Sequence, residues 1–413
     1  MASSTIIHNG TIIDGTGAAP RRGWLRLEGE RIAEMGSGPP PRGEREIDAG
    51  GQTILPGFID AHAHVTAQFD GVMQMISDPF SLRFYRSIEY MRNTLNGGVT
   101  TVRDAGGADL GVKQAVEMGL VEGPRLQISI TILGITGGHS DNWLPSGVDI
   151  GTDGGYPGCP SGICDGVEEV RKKVREVLRA GAEVIKICTT GGIFTPTDHP
   201  EFTQFSPEEL HAIVQEAEYR RGIKVMAHAQ GLEGVRNAVE AGIHSIEHGV
   251  YLDDAVIELM KERGTFLVPT LVTPVGILEA AEASPGDVPE YAARKAREVV
   301  EVHRDSIALA HEAGVKIAMG TDCVVVPHGQ NLRELGLMCE AGLSPMESIV
   351  ASTKTAAECL GWQADIGTLE AGKLADVVIC QGDPLANIRI LEDNANIALV
   401  MQGGRVLKDA RAA

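Results

Sequence analysis

Between residues 58 and 360 the chain repeats one unit: a short apolar run, then a stretch with helical periodicity. The runs are GFIDAHAHV, VTTVRDAG, RLQISITILGIT, EVIKICTTG, KVMAHAQG, HSIEHGV, TFLVPTLV and KIAMGTD. Short apolar runs bounded by Gly read as buried strands. GVEEVRKKVREVLRAG and SPEELHAIVQEAEYRRG read as helices, the second opening on a Ser-Pro-Glu-Glu N-cap signature. Eight strand–helix units predict an α/β fold, a (β/α)8 TIM barrel whose chemistry sits at the C-terminal ends of its strands. An open doubly wound sheet is the alternative, disfavoured because no G-x-G-x-x-G opens the pattern.

The two ends have another texture. TIIHNGTIIDGTG and WLRLEGERIAEMG alternate and turn on Gly, as do IGTLEAGKLADVVICQGDP and IALVMQGGRVLKD. Residues 1–57 and 361–413 are therefore expected to form one small β-sandwich domain beside a barrel of residues 58–360. A net charge of −20 argues against nucleic-acid and anionic-membrane partners. MASSTIIHNG lacks a basic segment followed by an apolar one, so no secretory leader is expected, and no apolar run is long enough to span a bilayer. Seven scattered cysteines fit a reducing, cytoplasmic setting, with a Cys159–Cys164 disulfide as the minor alternative.

Polar residues stand where a barrel places chemistry. His62 and His64 end the first strand, His228 and His248 lie near the ends of the fifth and sixth, and Asp322 ends the eighth. Strand alternation puts His62 and His64 on one face. In the fourth strand Val184, Lys186 and Cys188 share the inward face, while Ile185 and Ile187 face the helices. A buried ammonium must be neutralised, paired or used. Four histidines, one aspartate and an inward lysine read as a metal site, since imidazole and carboxylate suit zinc and its neighbours.

LPGFIDAHAHV, EVIKICTTGG, VMAHAQG, SIEHG, MGTD and GTLEAGKLADVVI resemble the amidohydrolase superfamily over nearly the whole chain. The resemblance is to its binuclear branch. It implies a CO2-derived carbamate on Lys186 that bridges two divalent metal ions, zinc by default. His62, His64 and Asp322 would hold the buried ion and His228 and His248 the other. A bridging hydroxide would attack the amide carbonyl, with Asp322 as the catalytic proton carrier. ILGITGGHSD and IEHGVYLDD point to the group that cleaves Xaa-Pro or Xaa-Arg/Lys dipeptides and N-acyl amino acids, aromatic amides such as ochratoxin A included. That likeness implies that His139 and Tyr251 hold the substrate carboxylate, and that the protein is a homo-oligomer, an octamer being one form.

The alternatives are an imidazolonepropionase-like cyclic amide hydrolase, an aminohydrolase, a lactonase and a non-catalytic relative. Gln230 stands where a deaminase would carry an acid, and Lys186 is retained, which disfavours deamination. Residues 137–166 and 193–207 are expected to form the rim of the site. His199 and His328 are not expected to bind metal. Arg103 and Asp104 are read as a structural pair at the rim, Cys188 as a packing residue. Glu247 is read as structural or as a support for a ligand, pointing away from His248 by alternation.

Overall fold

A computed structural model describes residues 4–69, 71–143, 146–148 and 155–411. The barrel begins with three parallel strands, Phe58–Ala63, Val99–Asp104 and Arg125–Ile128, paired in that order. A second parallel sheet runs through Ile132–Leu133, Val184–Cys188, Lys224–Ala229, Ser245–His248 and Phe266–Val268. The third predicted strand is thus broken. Ser129–Thr131 interrupts it, with Ile130 at φ 71°, so its first half pairs with the second strand and its second half with the fourth.

Residues 316–323 close the ring. Ala318 N donates to Leu267 O, while Ala61 N donates to Met319 O and Asp322 N to His62 O. These contacts join the last paired strand to the first. The closing segment pairs only through isolated bridges, Leu267 with Ile317 and Ala63 with Cys323.

Helices surround the strands. Gly166–Ala180 buries Val170, Val174 and Val177, one stripe at helical spacing. Pro207–Glu218 starts at Ser206, whose side chain and that of Glu209 form the predicted capping box. After Phe266–Val268 comes a helical pair, Val272–Ala283 and Glu290–Ala313, whose shared apolar cluster includes Ile193, Val250, Ile277, Ala292 and Val299. Among the described residues no helix is long and apolar enough to cross a membrane.

Both chain ends build one mixed eight-stranded sheet, in which Thr53–Pro56 pairs with Val377–Cys380 and joins the N-terminal strands to the C-terminal ones. Alternation divides its faces. Ile54, Val377, Ile379 and Leu399 enter the sheet's own core, while Leu55, Val378 and Val400 join the barrel core. All seven cysteines are free, Cys159 and Cys164 among them. Of the expected 137–166 rim, residues 144–145 and 149–154 lie outside the described residues.

Candidate metal centre and substrate cavity

The predicted ligands converge at one end of the barrel. His62, His64 and Asp322 each bring a donor atom within 4.8 Å of the others. Nε2 of His62 lies 3.5 Å from Asp322 Oδ1, and Nε2 of His64 lies 3.3 Å from it. The opposite nitrogens are anchored. His62 Nδ1 is 2.8 Å from Glu247 Oε2 and His64 Nδ1 is 2.9 Å from Gly106 O. Donation from Nδ1–H to these oxygens fixes each ring and turns the Nε2 lone pair inward, as metal-binding histidines require. Lys186 Nζ is buried 3.5 Å from His62 Nε2.

His228 and His248 stand outside that three-donor group but adjoin it. Ring centroids are 5.2 Å apart for His62 and His248 and 4.5 Å for His228 and His248. His248 Nδ1 pairs with Thr270 Oγ1 at 2.6 Å, and its buried Nε2 has no hydrogen-bond partner among the described residues. His228 Nε2 lies 2.9 Å from Gly191 O, which leaves Nδ1 as its available donor atom.

The electrostatics favour a cation. Burial opposes charge on Asp322, but the His62 and His64 rings outweigh it and hold the carboxyl well below the usual range. Asp322 in turn outweighs burial at His64 and raises that ring to about 9. Burial, with nearby positive groups, keeps His228 and His248 well below the ordinary histidine value. Burial also lowers Lys186. Neutral imidazoles at His228 and His248, an ionised Asp322 and the orphaned Nε2 of His248 fit a divalent metal ion, which would take the place of the proton that Asp322 now stabilises on His64. Cys188 shares the inward face, but burial pushes its thiol up to about 12, so it stays protonated.

His248, Thr270 and Asp322 adopt φ values of 76°, 54° and 53°. Left-handed geometry in non-glycine residues costs about 1–3 kcal/mol each and clusters where function over-determines the backbone. At His248 it breaks the expected alternation. Glu247 does not point away from the site: it meets His62, while His248 also faces inward. Arg103 and Asp104 likewise do not pair with each other, because neighbours in a strand face opposite ways. Fully buried Arg103 donates to Ala61 O, Ser245 Oγ and Glu247 Oε1, at 2.6, 3.1 and 2.9 Å. Despite burial, that guanidinium and His62 hold Glu247 down at about 2. Asp104 instead accepts from the amides of Val65, Gly106 and Ala108, shaping the turn that holds His64.

A cavity of about 670 Å3 opens over this floor. His64, His228, His248 and Asp322 line its base, and Phe69, Phe80, Trp143, Ile193, Phe194, Ile277 and Tyr291 give it an apolar wall. His139 lines it too, its ring stacked on His228 at 4.1 Å and its Nδ1 3.1 Å from Thr195 Oγ1. Gly192 faces that ring so closely that a Cβ there would lie 2.2 Å from His139 Cε1. Tyr251 is not among the residues lining the cavity. Its ring packs beside it, against the apolar cluster of Ile193 and Val250, and its amide donates to Gln230 O. His328 stacks on Tyr90 and bonds Ala67 O, and His199 sits beside Glu201 and Glu298.

Several residues have roles that the sequence reading missed. Asp60 accepts from His62 N, Thr321 Oγ1 and Asn331 Nδ2, stitching the first strand to the closing segment. Its position two before His62 was the available clue. His303 and Gln230 line the cavity with buried atoms, Nδ1 and Oε1, that lack partners among the described residues.

Residues 53–407 match the model of a family described as the amidohydrolase family. An ochratoxinase of Aspergillus niger is 35% identical over 425 residues, covering 98% of this chain and 87% of that protein. A prolidase crystal structure in complex with N-methylphosphonate-L-proline has a TM-score of 0.91 and 35% identity, covering 98% of this chain and 100% of that one. A Xaa-Pro dipeptidase with methionine in its active site has a TM-score of 0.90 and 33% identity, with the same coverage.

Proposed function

This chain belongs to the amidohydrolase family, and from that premise we propose a metal-dependent hydrolase that cleaves the amide bond of dipeptides or N-acyl amino acids with a free carboxylate. Its catalytic unit is residues 58–360, with residues 1–57 and 361–413 as the accompanying β domain. His62, His64 and Asp322 would hold one divalent ion, zinc by default, and His228 and His248 a second. Lys186 would carry a carbamate as a further anionic ligand, formed if its neutral Nζ bonded to CO2 and released one proton. When bound, such ions acidify water and polarise a carbonyl.

The chain's own residues do the rest. Glu247 and Gly106 O hold His62 and His64 in their donor tautomers. Asp322, the one carboxylic acid among these six residues, would take a proton from the attacking water and return it to the departing nitrogen. His139, its Nδ1 3.1 Å from Thr195 Oγ1, would meet the substrate carboxylate, and Tyr251 would assist from beside the cavity. The apolar wall takes the side chain or acyl group and excludes water.

The observation that carries this reading is the convergence of two anchored histidine Nε2 atoms and Asp322 Oδ1 at the base of a cavity large enough for a dipeptide-sized amide. We place the protein in the cytoplasm, in keeping with seven free thiols, as a homo-oligomer acting on small molecules. Metal analysis of purified protein tests the centre. Two ions per chain are expected. One ion would favour an aminohydrolase, and none after metal supplementation of folded protein would contradict the proposal.

A further inference from the structure

A buried ammonium sits away from the metal-site residues. Lys295, in the helix Glu290–Ala313, is 2% exposed. Its Nζ donates to Gly192 O at 3.1 Å, Thr195 O at 2.8 Å and Asp198 O at 2.5 Å. An ammonium has three protons, and all three are used on backbone carbonyls. One helical turn earlier, Tyr291 Oη donates to Phe194 O at 2.9 Å, and its ring lies 5.7 Å from Nζ. Residues four apart share a helix face. One face of one helix therefore holds four carbonyls of the segment 192–198, which has no helix or strand of its own to satisfy them.

That segment leads to the substrate side. Ile193, Phe194 and Thr195 line the cavity. Phe194 packs on Phe69 at 5.1 Å between centroids. Thr195 Oγ1 donates to His139 O at 2.9 Å and lies 3.1 Å from His139 Nδ1. Asp198 Oδ2 accepts from Gly192 N and Gln204 Nε2, so the segment folds back on itself. An apolar side chain at 295 would fill the space at lower desolvation cost but would leave three carbonyls unpaired.

We infer that Lys295 is a positioning residue for substrate capture: with Tyr291 it locks residues 192–198 as a fixed cavity wall, and through Thr195 it holds His139 against His228. The inference rests on the proposed amide hydrolysis only in taking His139 to face the substrate.

The test uses the metal-loaded full chain with Lys295→Met, measuring kcat, KM, metal content and amide hydrogen exchange across residues 189–204. Exchange within 192–198 is expected to accelerate, with metal content unchanged. KM should rise roughly tenfold, the scale of one lost polar contact, with kcat changing far less. Unchanged exchange would overturn the clamp. Faster exchange with unchanged KM would overturn the positioning role. If Lys295→Met does not fold, Tyr291→Phe removes one of the four ties, and faster exchange near Phe194 is expected. Thr195→Val cuts the link to His139 with the clamp intact, so KM should rise without faster exchange across the segment. If the unaltered protein cleaves no amide with a free carboxylate, the functional reading fails, while exchange still decides the clamp.

Discussion

Glu247 Oε2 lies 2.8 Å from His62 Nδ1, and Arg103 Nη2 holds the other carboxylate oxygen at 2.9 Å. All three side chains are buried. The chain of contacts transmits orientation from a guanidinium in the second strand to the His62 nitrogen that faces Asp322. Glu247→Gln keeps the shape but weakens the acceptor and can present an N–H to Nδ1. Metal affinity should fall about 10–100-fold, the usual effect of losing such a support. Competitive chelation, monitored by metal release, measures it. Unchanged affinity would assign the carboxylate a purely packing role.

Lys186→Ala removes the nitrogen proposed to carry the carbamate. The variant should lose the second ion and nearly all activity. Short carboxylic acids should restore part of it by entering the vacated space. Metal counting and rate measurements with added acetate or propionate check this. Full activity without such additives would rule out the carbamate.

His139→Ala and Tyr251→Phe should chiefly raise KM for substrates with a free carboxylate, leaving carboxyl-amidated analogues unaffected. Comparing each acid with its amide decides the matter. An equal effect on both would remove the proposed role.

Gly192→Ala places a methyl group 2.2 Å from His139 Cε1 and must displace that ring or the segment Lys295 holds. KM should rise by about tenfold or more, the scale of one lost substrate contact. Metal content should not change, since His139 is not a proposed ligand. A silent Gly192→Ala would mean that the ring's position is unimportant for binding.

Glu334 is a buried titratable group outside the candidate metal centre. It is fully buried and accepts from the amides of Leu271 and Val272, yet burial outweighs those bonds and raises it to about 8. An unfolded glutamate ionises near 4.5. Between these values the folded chain keeps a proton that the unfolded chain releases. Stability therefore falls as pH rises through that window, by up to about 1.4 kcal/mol per unit. Glu334→Gln should lose this dependence. The difference in Tm between variant and parent should move in the variant's favour from pH 5 to about pH 8. A constant difference would contradict the argument.

Much of this was legible because strand period and barrel topology are strong constraints. The apolar runs placed the strands, and their ends placed His62, His64, His228, His248 and Asp322 together. Lys186 was legible as an anomaly, a cation at an inward position. What failed did so where the backbone departs from ideal geometry. His248 at φ 76° brings Glu247 and His248 to the same site, against alternation, and Ile130 at φ 71° splits the third strand. Lys295 was illegible for another reason. It lies in an ordinary helical pattern, and its carbonyl partners are about a hundred positions away, 97 in the case of Asp198. Asp60 and Arg103 act through similarly distant contacts, which no local pattern encodes.

The most direct measurement is a hydrolysis screen of the metal-loaded protein against dipeptides and N-acyl amino acids, each tested also with its carboxylate amidated. Cleavage confined to the free acids is the predicted result, and the best substrate would define the group the apolar wall accepts. Failure to cleave any free acid, with two ions bound, would contradict the proposed substrate class and shift attention to cyclic amides and lactones.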